Sequence, residues 1–117
     1  MRPTQQRLAL ANWLFKGCPK HVTAEQVHAA ARKMRAPVSL ATVYNTLNHL
    51  IEAGLLRQVA IGGQVYFDTN AGGHHHLFDE KSGRLSDIPA TSLRIAGLPR
   101  LPHGKALSRV DVVVRVR

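Results

Sequence analysis

The stretch from Pro37 to Gly54 constrains this chain more than any other. At about 100° per residue, Leu40, Val43, Leu47, Leu50 and Ile51 fall on one stripe of a helix, a stripe that must be covered. The opposite side carries Ala41, Thr42, Asn45, Thr46 and His49, with no acid before Glu52, and Tyr44 stands at the border. Ser39, after a proline, fits an N-cap, and Gly54 fits a C-terminal stop. A surface helix with a purely structural role scatters Glu and Lys over its wet side. A short, neutral, donor-rich face is what an element needs if it enters a DNA major groove.

The neighbouring segments supply a frame for that helix. Thr4 is expected to cap a first helix running to about Phe15, with Leu8, Ala11, Leu14 and Phe15 inward. Thr23 with Gln26 forms a capping box, and Val22 with Val27 a hydrophobic staple, for a second helix reaching Met34. Val27, Ala30 and Met34 are its expected inward face. After Gly54, two β-rich runs flank Gly62-Gly63 and read as a hairpin. Three helices followed by a two-stranded wing make a winged helix-turn-helix.

Asn70 to Gly73 reads as a small flexible linker. A second hairpin is expected from His74–Phe78 and Arg84–Ile88, turning through Glu80 to Gly83. A short helical possibility lies around Ser92 to Ala96. Val110, Val112, Val114 and Val116 then alternate along a strand ending at Arg117. The expected fold is therefore α+β: a winged-helix DNA-binding domain over 1–69, a linker at 70–73, and a small α/β module over 74–117. A module of that size buries its valine face poorly alone, so a twin subunit is expected to complete it.

Charge agrees with a polyanionic partner. Sixteen Lys and Arg stand against seven Asp and Glu, a formal charge of +9. Ahead of Asp68 there are eight basic residues and only Glu25 and Glu52 as acids. Such a field favours nucleic acid. Arg2, Arg7, Arg57 and Lys20 are candidates for phosphate neutralisation, which positions a protein without specifying sequence. Thr42, Tyr44, Asn45 and His49 are candidates for base contact, since Asn pairs bidentately with adenine and a Tyr ring packs on a thymine methyl. A homodimer would suit an inverted-repeat operator in double-stranded DNA.

Other classes fall away. The single cysteine, Cys18, excludes an internal disulfide and a four-cysteine zinc site within the chain. No apolar run reaches the length of a bilayer span, and no signal peptide's apolar core opens the chain, so a cytoplasmic protein without membrane contact is expected.

Seven histidines are many for this length, and three are consecutive. If Glu80 to Gly83 close the second hairpin on Asp79 and Arg84, His76 faces Asp87 and His74 lies on the same side. Asp68 precedes His74 by six residues, and His21 lies just ahead of the second helix.

Three motifs together resemble the ferric uptake regulator family: His21-Val-Thr-Ala-Glu25, Leu40-Ala-Thr-Val-Tyr-Asn-Thr-Leu47, and His74-His-His-Leu77 just after Tyr66-Phe-Asp68. Within it, the chain looks most like the iron response regulator branch, with Val38-Ser-Leu-Ala-Thr-Val-Tyr-Asn-Thr-Leu-Asn48, an unbroken His run and a Val-rich ending. The resemblance implies a dimeric, metal- or haem-responsive transcriptional regulator of iron and haem homeostasis genes, rather than an enzyme. It implies a regulatory metal site of His21, Asp68, His74, His76 and Asp87, and singles out Tyr44 for DNA contact. It also implies haem as a competing ligand, with His74, His75 and His76 as axial candidates. Cys18-Pro19 is a dipeptide found in haem regulatory motifs, though a loop cysteine beside a helix-breaking proline is the plainer reading.

The departures are specific. The family's Cys-x-x-Cys pairs are replaced by Phe78-Asp-Glu-Lys-Ser82, so no structural four-cysteine zinc is expected. Asn45 stands where many members have Arg, and a protein without the first helix of longer members is expected. Gly73 and Val110 occupy places where a second metal site would need ligands, which leaves one full site per subunit. Three imidazoles and two carboxylates without thiolate suit Fe(II), Mn(II), Zn(II) or Co(II). Two Asp ligands with three His also resemble the family's peroxide sensors, in which bound Fe(II) reacts with peroxide and a ligand histidine is oxidised. A metalloenzyme built on the same His and Asp cluster is the alternative from another class. It lacks any candidate base or oxyanion donor beyond the ligands.

Overall fold

The computed structural model describes residues 3–17 and 20–117. Arg2 and the Cys18-Pro19 dipeptide lie outside the described residues. The elements run α1 (Pro3–Phe15), β1 (His21–Val22), α2 (Ala24–Lys33), α3 (Leu40–Glu52), β2 (Arg57–Ile61), β3 (Gln64–Asp68), β4 (His74–Asp79), β5 (Leu85–Pro89), a 3₁₀ turn at Ala90–Ser92, and β6 (Val113–Val116). The chain divides into two compact units, Met1–Ala71 and Gly72–Arg117.

The first unit is a winged helix-turn-helix. Its core gathers Leu10 and Leu14 of α1, Ala24, Val27 and Ala31 of α2, Val43 and Leu47 of α3, and Val22, Val38, Leu56 and Phe67. Thr23 caps α2 with the expected box: Gln26 N–H donates to Thr23 Oγ1, and Thr23 N–H donates to Gln26 Oε1. Ser39 caps α3 by accepting from Thr42 N–H, and Gly54 leaves that helix at a positive φ of 76°. The β2–β3 turn uses positive φ at both Gly62 and Gly63, as a two-residue hairpin of the type I′ kind requires.

Several inward faces differ from expectation. The helix α1 starts at Pro3, so Thr4 lies inside it and not at its cap. Leu10 replaces Leu8 in the core, while Leu8 and Phe15 are exposed. The run Leu8-Ala-Leu-Ala11 is apolar on every side, so its phase cannot be read from periodicity. In α2, Ala31 takes the place expected for Ala30 and Met34, because the helix ends at Lys33 and Met34 is its exposed C-cap. In α3, Leu40 is exposed at the first turn, and Thr46 is buried instead of wet. The Thr46 hydroxyl donates to Thr42 O at 2.8 Å, which satisfies it on the helix itself.

The wing has a third strand. The pair His21–Val22 runs antiparallel to β3, giving the order β1-β3-β2 with His21 opposite Asp68. Two residues are too few for any alternation to show.

In the second unit, β4 lies between antiparallel β5 and parallel β6. The β4–β5 register places His76 opposite Asp87, and Asp79 N–H bonds Arg84 O across the turn. Backbone N–H groups of Lys81 and Ser82 donate to the Asp79 carboxylate and hold its pKa below the ordinary range. The helical turn comes at Ala90–Ser92, earlier than Ser92 to Ala96. The last strand is four residues long and does not begin at Val110, since β4 offers it partners only from His76 to Asp79. Val114 and Val116 are exposed.

The core assignment has a direct test. Leu47→Ala should lower the unfolding free energy by about 2–5 kcal/mol, and Leu8→Ala by no more than about 0.5, in urea denaturation. A larger loss for Leu8→Ala would contradict the phase of α1.

Candidate metal centre

Within each unit, ligand-type side chains stand in contact with one another. In the first, β1–β3 pairing brings His21 Nε2 to 3.2 Å from Asp68 Oδ2. Asp68 is fully buried, and its other oxygen accepts Asn70 N–H at 2.9 Å. That second bond fixes the carboxylate plane and leaves Oδ2 directed at the imidazole.

In the second unit, period-two alternation puts His74 and His76 on one face of β4, with Asp87 opposite His76 on β5. The two Nε2 atoms lie 3.1 Å apart, and Asp87 Oδ1 is 3.0 Å from His74 Nε2 and 3.6 Å from His76 Nε2. His76 is only 1% exposed, and Asp87 is the open side of the cluster. The His74 Nδ1–H group donates to Gly72 O at 2.6 Å. A neutral ring so oriented presents the lone pair of Nε2 to the cluster. A carbonyl behind the distal nitrogen is the usual support for a metal-binding imidazole. Two imidazole nitrogens and a carboxylate converging at these distances need either a shared proton or a cation between them.

His75 points to the other face. Its Nδ1 accepts Val112 N–H at 3.1 Å, while His76 N–H donates to Val112 O, so the ring is a buried part of the β4–β6 seam. Of the three haem candidates, this ring is the one whose Nδ1 fastens the chain that leads into β6. His49 and His103 are exposed, and His28 is half-buried.

The base-contact candidates on α3 differ in exposure. Asn45 and His49 are open, and Tyr44 is 39% exposed with its hydroxyl 3.4 Å from Glu25 Oε1. Thr42 is half-buried and shares a 3.0 Å hydrogen bond with Ser39 Oγ. Arg7 is exposed on α1. Arg57 is different: it is 6% exposed, so the surface phosphate role expected of it is corrected. A strand position opposite Asp68 draws the guanidinium inward. The sequence signal for this was weak, because a basic residue at the start of a wing usually faces water.

A family profile described as the ferric uptake regulator family matches residues 1–100. The peroxide-responsive repressor PerR of Staphylococcus epidermidis is 31% identical over 89 residues, which is 75% of this chain. The chain spans about 59% of that relative's length. Among solved structures, the ferric uptake regulator from Pseudomonas aeruginosa with manganese is 24% identical, with a TM-score of 0.71 over 96% of this chain and 86% of that one. The Campylobacter jejuni peroxide stress regulator is 22% identical, with a TM-score of 0.68 over 97% and 86%. At these identities the structures speak to the fold, and they agree on helices followed by sheets. The profile match covers most of the sequence, through α3, the wing and β4, and this chain belongs to the ferric uptake regulator family.

Proposed function

We propose that the chain is a DNA-binding transcriptional regulator of metal homeostasis genes whose operator affinity is set by one divalent cation. His21 and Asp68 of the first unit would bind that cation together with His74, His76 and Asp87 of the second. The observation that carries this reading is the convergence of His74 Nε2, His76 Nε2 and Asp87 Oδ1 within 3.0–3.6 Å on a hairpin that starts six residues after Asp68, the partner of His21. The donor set is nitrogen and oxygen without thiolate, which fits Fe(II), Mn(II) or Zn(II). The family is one of regulators, so these groups are read as a sensing centre and not a catalytic one.

The mechanism is linkage. A cation that takes ligands from both units binds one arrangement of them better than the others, and so changes the spacing of two reading helices in a dimer. A second copy of the chain is supported by the exposed Leu98, Leu101, Leu107, Val114 and Val116 of the second unit. Among the described residues no helix is long and apolar enough to cross a membrane. A cytoplasmic location goes with this reading.

The test is operator binding of purified protein in Mn(II), Fe(II), Zn(II), haem or chelator. Affinity should change about 5- to 150-fold between metal and chelator. Equal affinity in all conditions would reject metal control and leave an architectural DNA binder. Haem, suggested by the iron response regulator branch, would have to draw His74 or His76 away from Asp87, and a Soret titration decides it. A second reading, peroxide sensing, is favoured by the likeness to PerR. It requires the Fe(II)-loaded protein to lose operator affinity on peroxide addition, with one added oxygen on a peptide holding His21, His74 or His76.

A further inference from the structure

The three strands of the wing place His21, Asp68 and Arg57 in one row. Asp68 of β3 is opposite His21 of β1 on one side and opposite Arg57 of β2 on the other. Residues directly opposite one another in antiparallel strands project to the same face. The His21–Asp68 contact at 3.2 Å shows that the row is closed on one side. Asp68 is fully buried and Arg57 is 6% exposed. A carboxylate with no exposure needs a counter-charge, and a guanidinium keeps its charge at any physiological pH.

We propose that Arg57 is a positioning residue for Asp68 that sets how tightly the cation is held. This rests on the metal reading above. Two carboxylates and a divalent cation sum to zero charge, and Arg57 beside Asp68 makes the loaded centre net positive. The same residue compensates Asp68 when the cation leaves, so release does not strand a buried carboxylate. Arg57 thereby weakens cation binding and stabilises the metal-free protein. A centre so balanced exchanges its ion instead of storing it, which a sensor requires.

The experiment pairs Zn(II) affinity, measured by competition with a chromogenic chelator, with urea unfolding of the metal-free chain. Arg57→Gln, and Arg57→Met as a second charge-free variant, should bind Zn(II) at least about tenfold more tightly, because one repelling charge is gone. Arg57→Lys, which keeps the charge, should stay within about threefold of the parent. In metal-free protein, a double-mutant cycle of Arg57→Gln with Asp68→Asn should show coupling, the second change having a smaller effect once the first is made. Unchanged or weaker Zn(II) binding in both charge-free variants would overturn the proposal, as would an additive cycle. If the cycle shows coupling but no variant and not the parent binds Zn(II), the metal reading itself has failed and Arg57 is only a structural counter-ion.

Discussion

Replacing His76 with Ala should abolish the metal-dependent change in operator affinity, so that the ratio with and without Mn(II) or Zn(II) falls from about 5- to 150-fold to one. His76 is the most buried imidazole of the cluster and faces Asp87 across the hairpin. Loss of a group that merely supports a metal ligand lowers affinity about 10- to 100-fold, so loss of the ligand itself should do no less. Because a buried ring is removed, Asp87→Asn serves as the companion: it keeps volume, sits at the open side of the cluster, and should also uncouple metal from DNA. Circular dichroism separates either effect from unfolding. Electrophoretic mobility shifts showing the parental response in both variants would exclude the hairpin from the sensing centre.

Changing Asn45 to Ala should relax base preference at one position of each half-site by about 1–3 kcal/mol and leave non-specific DNA binding intact. Asn45 is open on α3, beside the half-exposed ring of Tyr44. Tyr44→Ala should relax preference too, through lost packing on a thymine methyl. Arg7→Ala should instead weaken all DNA about equally and reduce the salt slope by about one. Selection from randomised DNA followed by salt titration distinguishes these outcomes. Parental selectivity in both α3 variants would move base reading elsewhere.

Much of this was legible in the residues, for identifiable reasons. Caps at Thr23 and Ser39, the Gly62-Gly63 turn and the His76–Asp87 register all depend on short-range chemistry that a sequence carries locally. The expectations that failed depend on tertiary context. The phase of α1 was lost in the unbroken apolar run Leu8 to Ala11, and Thr46 entered the core because its hydroxyl could bond its own helix. The strand β1 exists only because β3 offers it an edge, so nothing in His21-Val22 announces it. That same strand draws His21 to Asp68, and β2 sets Arg57 opposite Asp68, a tertiary placement that its position at the start of the wing does not show in the sequence. The valines near the end alternate as a long strand does, yet pairing is limited by the length of β4.

The central claim is that a single ion is held by ligands of both units, and Zn(II) affinity of His21→Ala beside the parent tests it most directly. His21 belongs to the first unit and is distant in sequence from the hairpin. A shared ion predicts a loss of at least about tenfold to 100-fold in His21→Ala. Parental affinity in His21→Ala, with affinity lost in His76→Ala, would place the ion in the hairpin alone and contradict the claim.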